Sequence, residues 1–167
     1  TAGMALDGQG SLFAVARCYP TFDSLPSSDL DTMLLKYSID GSLAFAKVYH
    51  DVDEAYATDM LIDKDGNIVL GGFNWLAKFD PLGALIWTQR YNSADISRPE
   101  IQQLATDASG AIYAAGYSDD WETGFACKLD TDGAVLWAKK WLINNELGDI
   151  EEPQLGMALS GAALYIL

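Results

Sequence analysis

Basic residues are scarce in this chain, histidine occurs once, cysteine twice, and no long apolar run is present. Ten lysines and arginines face 24 aspartates and glutamates, a formal charge of -14. That balance repels phosphate backbones and anionic lipid surfaces, which argues against nucleic acid as a partner and against membrane surfaces. No stretch approaches the roughly 20 apolar residues of a membrane helix, so direct membrane insertion is not expected. His50 cannot build a zinc site unaided, and no serine or cysteine stands beside it as a nucleophile; it reads as an exposed strand-end residue. Cys18 and Cys127 fall in different parts of the chain and read as free thiols rather than a disulfide framework. Apolar spacing of the helical kind never persists for three turns.

What is present is repetition. Half of the 167 residues are hydrophobic, enough for one domain with a sizeable core. The stretch Lys128-Leu129-Asp130-Thr131-Asp132-Gly133-Ala134-Val135-Leu136-Trp137 reads as strand, tight turn, strand. Asp132-Gly133 there suits a two-residue hairpin turn, because glycine accepts positive φ without a side-chain clash. The module recurs with Lys36, Gly41, Phe45 and Tyr49, and with Lys78, Gly83, Trp87 and Tyr91; Trp141 completes the third set. A second hairpin precedes each one: Met4, Asp7 and Gly10; Met60, Asp63 and Gly66; Leu104, Asp107 and Gly110. A fourth, worn copy spans Leu155 to Tyr165.

Each unit therefore has four short strands, a to d. The second-hairpin glycines at 41, 83 and 133 repeat after 42 and then 50 residues. Four-stranded units of that length predict an all-β propeller arc of about three and a half blades. The expected blades are 1–50, 51–92, 93–143 and a half blade, 144–167. Continuous apolar runs such as Ile68-Val69-Leu70 fit strands covered on both faces by neighbouring blades. The repeated aromatics read as packing between blades; a ring of ligand-stacking aromatics is the alternative.

The pattern Asp-x-x-Gly-Asn-Ile-Val-Leu-Gly-Gly over Asp63 to Gly72, followed by Lys-x-Asp-x-x-Gly-x-x-x-Trp over Lys78 to Trp87, resembles the bacterial SBBP-type (seven-bladed) β-propeller repeat. The first unit departs from it at Ser38 and Phe45, where the pattern prefers Asp and Trp. The resemblance implies extracellular or surface-associated scaffolds and interaction platforms, with no shared catalytic residue. The quinoprotein propeller repeat is similar too, as Asp130 to Trp137 shows, but with a spacing one residue shorter. That resemblance implies pyrroloquinoline quinone beside calcium, and none of its site residues maps onto this chain.

In a propeller the a–b and c–d turns share one face, and the variable b–c and d–a loops share the other. Loops on a rigid scaffold carry most binding residues. The variable loops are expected to hold most of the acids, among them Asp23, Asp29, Asp31, Glu100, Glu151 and Glu152, and to make that face strongly negative. A solvated rim is one reading; a cation site or a dock for a basic partner is the other. Asp119, Asp120 and Glu122, and Asp51 with Asp53, are the candidate metal ligands, calcium being the ion that carboxylate clusters favour. Phe22, Trp75 and Trp121 are the candidate partner contacts; Trp75 reads equally as a strand-c core residue.

The expected function is a non-enzymatic structural or protein-interaction scaffold, extracellular or at the cell surface, with no catalytic residues. It would act through variable acidic loops or self-assemble through open strand edges. A fragment of a quinoprotein-like enzyme and a carbohydrate-binding propeller are the alternatives. Three and a half blades are expected to belong to a longer polypeptide or to a ring completed by another chain.

Overall fold

The structure, a computed structural model, describes residues 3–18, 31–50, 56–90, 98–118, 122–143, 156–160 and 163–166. Every regular element among them is a β-strand. Blade 1 comprises β1 (Gly3–Leu6), β2 (Leu12–Cys18), β3 (Asp31–Tyr37) and β4 (Leu43–Tyr49). Blade 2 comprises β5 (Ala57–Ile62), β6 (Ile68–Gly72), β7 (Trp75–Phe79) and β8 (Leu85–Arg90). Blade 3 comprises β9 (Glu100–Thr106), β10 (Ile112–Tyr117), β11 (Thr123–Leu129) and β12 (Val135–Leu142). A half blade follows, β13 (Met157–Ser160) paired with β14 (Ala163–Ile166). Each full blade is an antiparallel meander, and its strands pair in chain order.

The innermost strands lie side by side, β1 against β5, β5 against β9 and β9 against β13, as blades do around an axis. The fold is an all-β propeller arc. No helix among the described residues is long and apolar enough to cross a membrane.

Burial follows position within the blade. All of β6, β7 and β10 is buried, while the outer strands β4, β8 and β12 are largely exposed. Along β6 the faces alternate. Ile68 and Leu70 pack toward blade 1 with Phe13, Val15 and Leu34. Val69 packs toward blade 3 with Ile101, Ile112 and Leu129. An apolar run is the expected sequence for a strand covered on both faces.

The hairpin turns differ from the two-residue form. The Gly133 amide donates to the Asp130 carbonyl at 3.2 Å and the Asp130 amide to that of Ala134 at 2.9 Å. Only Gly133 has positive φ, at 87°, and the ladder shifts register between Lys128 and Leu129. The loop is one residue longer than a two-residue turn, with glycine in the left-handed bulge position. Asp130, rather than Asp132, decides it: its Oδ1 accepts from the amides of Asp132 and Ala134 at 3.0 and 2.9 Å. Asp7, Asp63, Asp80 and Asp107 cap their turns the same way. At Ser38 this cap is missing, and Asp40 accepts from the Ser42 amide instead.

Candidate functional site

The two repeated motifs meet inside each blade. The register sets Lys36, Lys78 and Lys128 on strand c opposite Phe13, Val69 and Tyr113 on strand b. Each lysine thereby reaches the capping aspartate of its own a–b turn. Lys36 lies 3.6 Å from Asp7, Lys78 2.8 Å from Asp63 and Lys128 3.1 Å from Asp107, in each case at Oδ2. One carboxylate oxygen closes the turn and the other holds the lysine. Burial pushes the Asp63 carboxyl up, but hydrogen bonds from Lys78 and Asn67 outweigh it and hold the group below its ordinary range. Ser109, with Lys128 and Tyr113, holds Asp107 well below it.

Strand-d aromatics then join blade to blade. The Tyr49 hydroxyl donates to the Gly83 carbonyl of the next blade, and Lys47 Nζ to that of Leu82 at 2.7 Å. Trp87 Nε1 and Lys78 Nζ donate to the Thr131 carbonyl at 3.2 and 3.1 Å. Near the axis, Asp59 accepts from the Leu104 amide at 2.7 Å, and Gln103 from that of Met157 at 2.6 Å. Phe45, Tyr49 and Trp87 thus fill space between blades. The Trp141 indole covers Gly124 of its own blade.

The recurring residues are therefore structural, and distinctive chemistry lies on the variable-loop face. There Arg17, the Tyr56 ring, the Phe73 ring and Arg98 form a stack. The guanidinium of Arg17 sits 4.0 Å from the Tyr56 centroid, the rings are 5.8 Å apart, and Arg98 sits 4.6 Å from Phe73. Both arginines are exposed and both rings half-buried. Among the described residues, Asn74, beside this stack, and Arg98, within it, are the non-glycine ones with positive φ, 63° and 40°. The Asn74 amide is tied to the Pro99 carbonyl at 2.7 Å. Asn74 Oδ1 and Trp75 Nε1 are buried without a hydrogen-bond partner among the described residues. Strained backbone and unsatisfied polar atoms together are features that folds retain at working sites.

On the same face, Asp31 Oδ1 and His50 Nδ1 are 2.7 Å apart. Asp31 is buried at the start of β3 and is not a loop acid; Glu100 likewise opens β9. His50 is exposed but held by this carboxylate. Next to it lies an apolar pocket of about 110 Å³ lined by Tyr49, Trp75, Phe79, Leu85 and Thr88.

Of the sequence candidates, Trp75 is buried in β7, the core alternative, with its ring on that pocket. Glu122 is exposed before β11, and its carbonyl accepts from the Ile143 amide at 2.8 Å. Phe22, Asp51, Asp53, Asp119, Asp120 and Trp121 lie outside the described residues. Among the described residues no group of three metal-ligating side chains converges. Cys18 and Cys127 form no disulfide among the described residues; the first is half-buried and the second buried. Arg17, Tyr56, Phe73 and Arg98 were not singled out by the repeat pattern, because none of them belongs to it.

No protein-family model matches the chain, and no curated protein matches it. Among solved structures it is similar to a streptogramin B lyase, at 14% identity and TM-score 0.46, over 75% of this chain and 44% of that one. A protein of unknown function from Bacteroides caccae gives 12% and 0.38, over 83% and 66%. PorZ, a surface component of the type-IX secretion system of Porphyromonas gingivalis, gives 14% and 0.42, over 93% and 27%. The chain spans less than half of the lyase and about a quarter of PorZ.

Proposed function

We propose that this chain is a non-enzymatic interaction scaffold of the SBBP-repeat kind, acting at the cell surface through its variable-loop face. The Arg17–Tyr56–Phe73–Arg98 stack carries the reading. Arginine and aromatic side chains dominate binding energy at protein interfaces, and here they stand pre-ordered, so little side-chain freedom is lost on docking. The acids that the sequence carries between its strands would add long-range attraction for a basic partner. A photo-reactive residue at position 98 is expected to cross-link one partner protein, and Arg17→Ala with Arg98→Ala to abolish its binding without lowering the melting temperature. Equal cross-linking from Asp132, on the opposite face, would overturn the proposal.

A second reading rests on the His50–Asp31 pair beside the apolar pocket. A carboxylate-oriented imidazole next to a cavity is an arrangement that serves small-molecule binding or proton transfer. Binding on a glycan array lost in His50→Ala would favour it. A cofactor absorbance band in the purified protein would favour the quinoprotein alternative.

A further inference from the structure

We propose that the cavity between blades 1 and 2 binds a small neutral molecule through a branched alkyl group of about four or five carbons. The inference rests on the second reading above, that this corner binds a small molecule, and names the ligand class.

The cavity comes from a local choice of small side chains. Its floor is the β7 row Trp75, Ala77 and Phe79, and Leu85 and Thr88 of β8 form its outer wall. Ala77 stands where blade 1 has Leu35 and blade 3 has Cys127, each one residue before the strand-c lysine. The register confirms the equivalence: Ala77 faces Thr88 as Leu35 faces Ala46 and Cys127 faces Ala138. A methyl group at the floor, where the neighbouring repeats have longer side chains, leaves a hollow of about 110 Å³ that Tyr49 of blade 1 closes from the other side.

The hydroxyls on its walls are already committed. That of Tyr49 donates to the Gly83 carbonyl, and Thr88 Oγ1 donates to the Leu76 carbonyl at 3.4 Å. The Trp75 N–H lies beside Gly72, which is not on the cavity wall; a side chain added at Gly72 would meet Nε1 at 2.8 Å. A sugar would therefore bury hydroxyls without partners, a cost that hydrocarbon does not incur. Desolvation disfavours a charged group more strongly still. Size sets the rest. An apolar protein cavity of about 150 Å³ takes benzene, so one of about 110 Å³ suits an isobutyl or isopentyl group. Leu85 is 54% exposed and the His50 side chain 59%, so the ligand's polar end stays in water beside them.

The test titrates ¹³C-methyl-labelled protein with 3-methyl-1-butanol and, separately, with glucose. The alcohol is expected to give saturable shifts at the Ala77 and Leu85 methyls, with a Kd of about 1–10 mM, and glucose none. Thr88→Leu fills the cavity from its exposed wall and should weaken the alcohol about tenfold or more. Thr88→Val keeps the volume and removes the hydroxyl, and should bind the alcohol at least as well as the parent. Shifts that do not saturate by about 50 mM, an equal response to glucose, or full binding by Thr88→Leu protein overturns the proposal. Glycan binding that His50→Ala abolishes, without alcohol binding, overturns this ligand class and leaves the second reading standing; absence of both removes both.

Discussion

Lys78 and Asp63 form a buried ion pair, Nζ to Oδ2 at 2.8 Å, that ties the c strand of blade 2 to its a–b turn. Lys78 also donates to Thr131 of blade 3, so one ammonium serves a turn and a junction. Removing it alone strands a buried carboxylate. Lys78→Ala should cost about 3–5 kcal/mol in denaturant unfolding, and Lys78→Met with Asp63→Asn distinctly less. At the first blade, where Lys36 and Asp7 are more exposed and 3.6 Å apart, Lys36→Ala should cost about 1 kcal/mol or less.

Acid should weaken the fold through the same aspartates. Asp7, Asp63 and Asp107 are held below the ordinary value of 3.8. Their stabilisation is present above the unfolded value and is lost as pH falls through the folded ones. Asp59 runs the other way: burial pushes it up against the hydrogen bond from Leu104, so its share is present at low pH and lost as pH rises through its folded value. The Ser42 hydrogen bonds lower Asp40 as well, and four lowered aspartates against one raised predict a net fall on acidification. Denaturant midpoints should drop between about pH 5 and about pH 2, with a shallower fall in Asp107→Asn.

Tyr49 should ionise well above the ordinary tyrosine value. Burial, with the charge of Asp80, pushes its phenol up to about 12 from 10.0. The neutral form is favoured in the fold, so its contribution is present below the unfolded value and lost as pH rises through about 12. Spectrophotometric titration should show a tyrosine step near that value which disappears in Tyr49→Phe.

Two glycines with the same backbone separate strain from crowding. Gly41 and Gly133 have φ of 82° and 87°. A side chain at Gly41 meets nothing within 4 Å, while at Gly133 it meets the Trp87 ring. Gly41→Ala should cost about 1–2 kcal/mol from backbone strain. Gly133→Ala should cost about 1–3 kcal/mol more from overpacking. Equal losses in thermal unfolding would show that the Trp87 ring yields freely.

Sequence periodicity made the architecture legible because five of the hairpins carry the same Asp and Gly corner, at Asp7, Asp63, Asp80, Asp107 and Asp130, and the aromatics follow at fixed distances. It did not reveal that Asp63 holds Lys78, since that contact depends on the register of strand b against strand c. Nor did it fix Trp75, because β7 is covered on both faces and shows no alternation to read. The sequence makes the turn look one residue shorter than it is, because Asp132 precedes the glycine while the capping group is Asp130. An acid that opens a strand looks solvated in sequence until its histidine partner is seen, so Asp31 reads as a loop residue there. The Arg17–Tyr56–Phe73–Arg98 stack joins residues with no common spacing, so only three-dimensional proximity brings it out.

The axial bonds from Asp59 to Leu104 and from Gln103 to Met157 each reach a single step along the array. Cohesion of this nearest-neighbour kind makes stability accumulate unit by unit. A duplicated or deleted repeat would then alter the number of links without redrawing any of them, which leaves the gene free to change its length in whole blades.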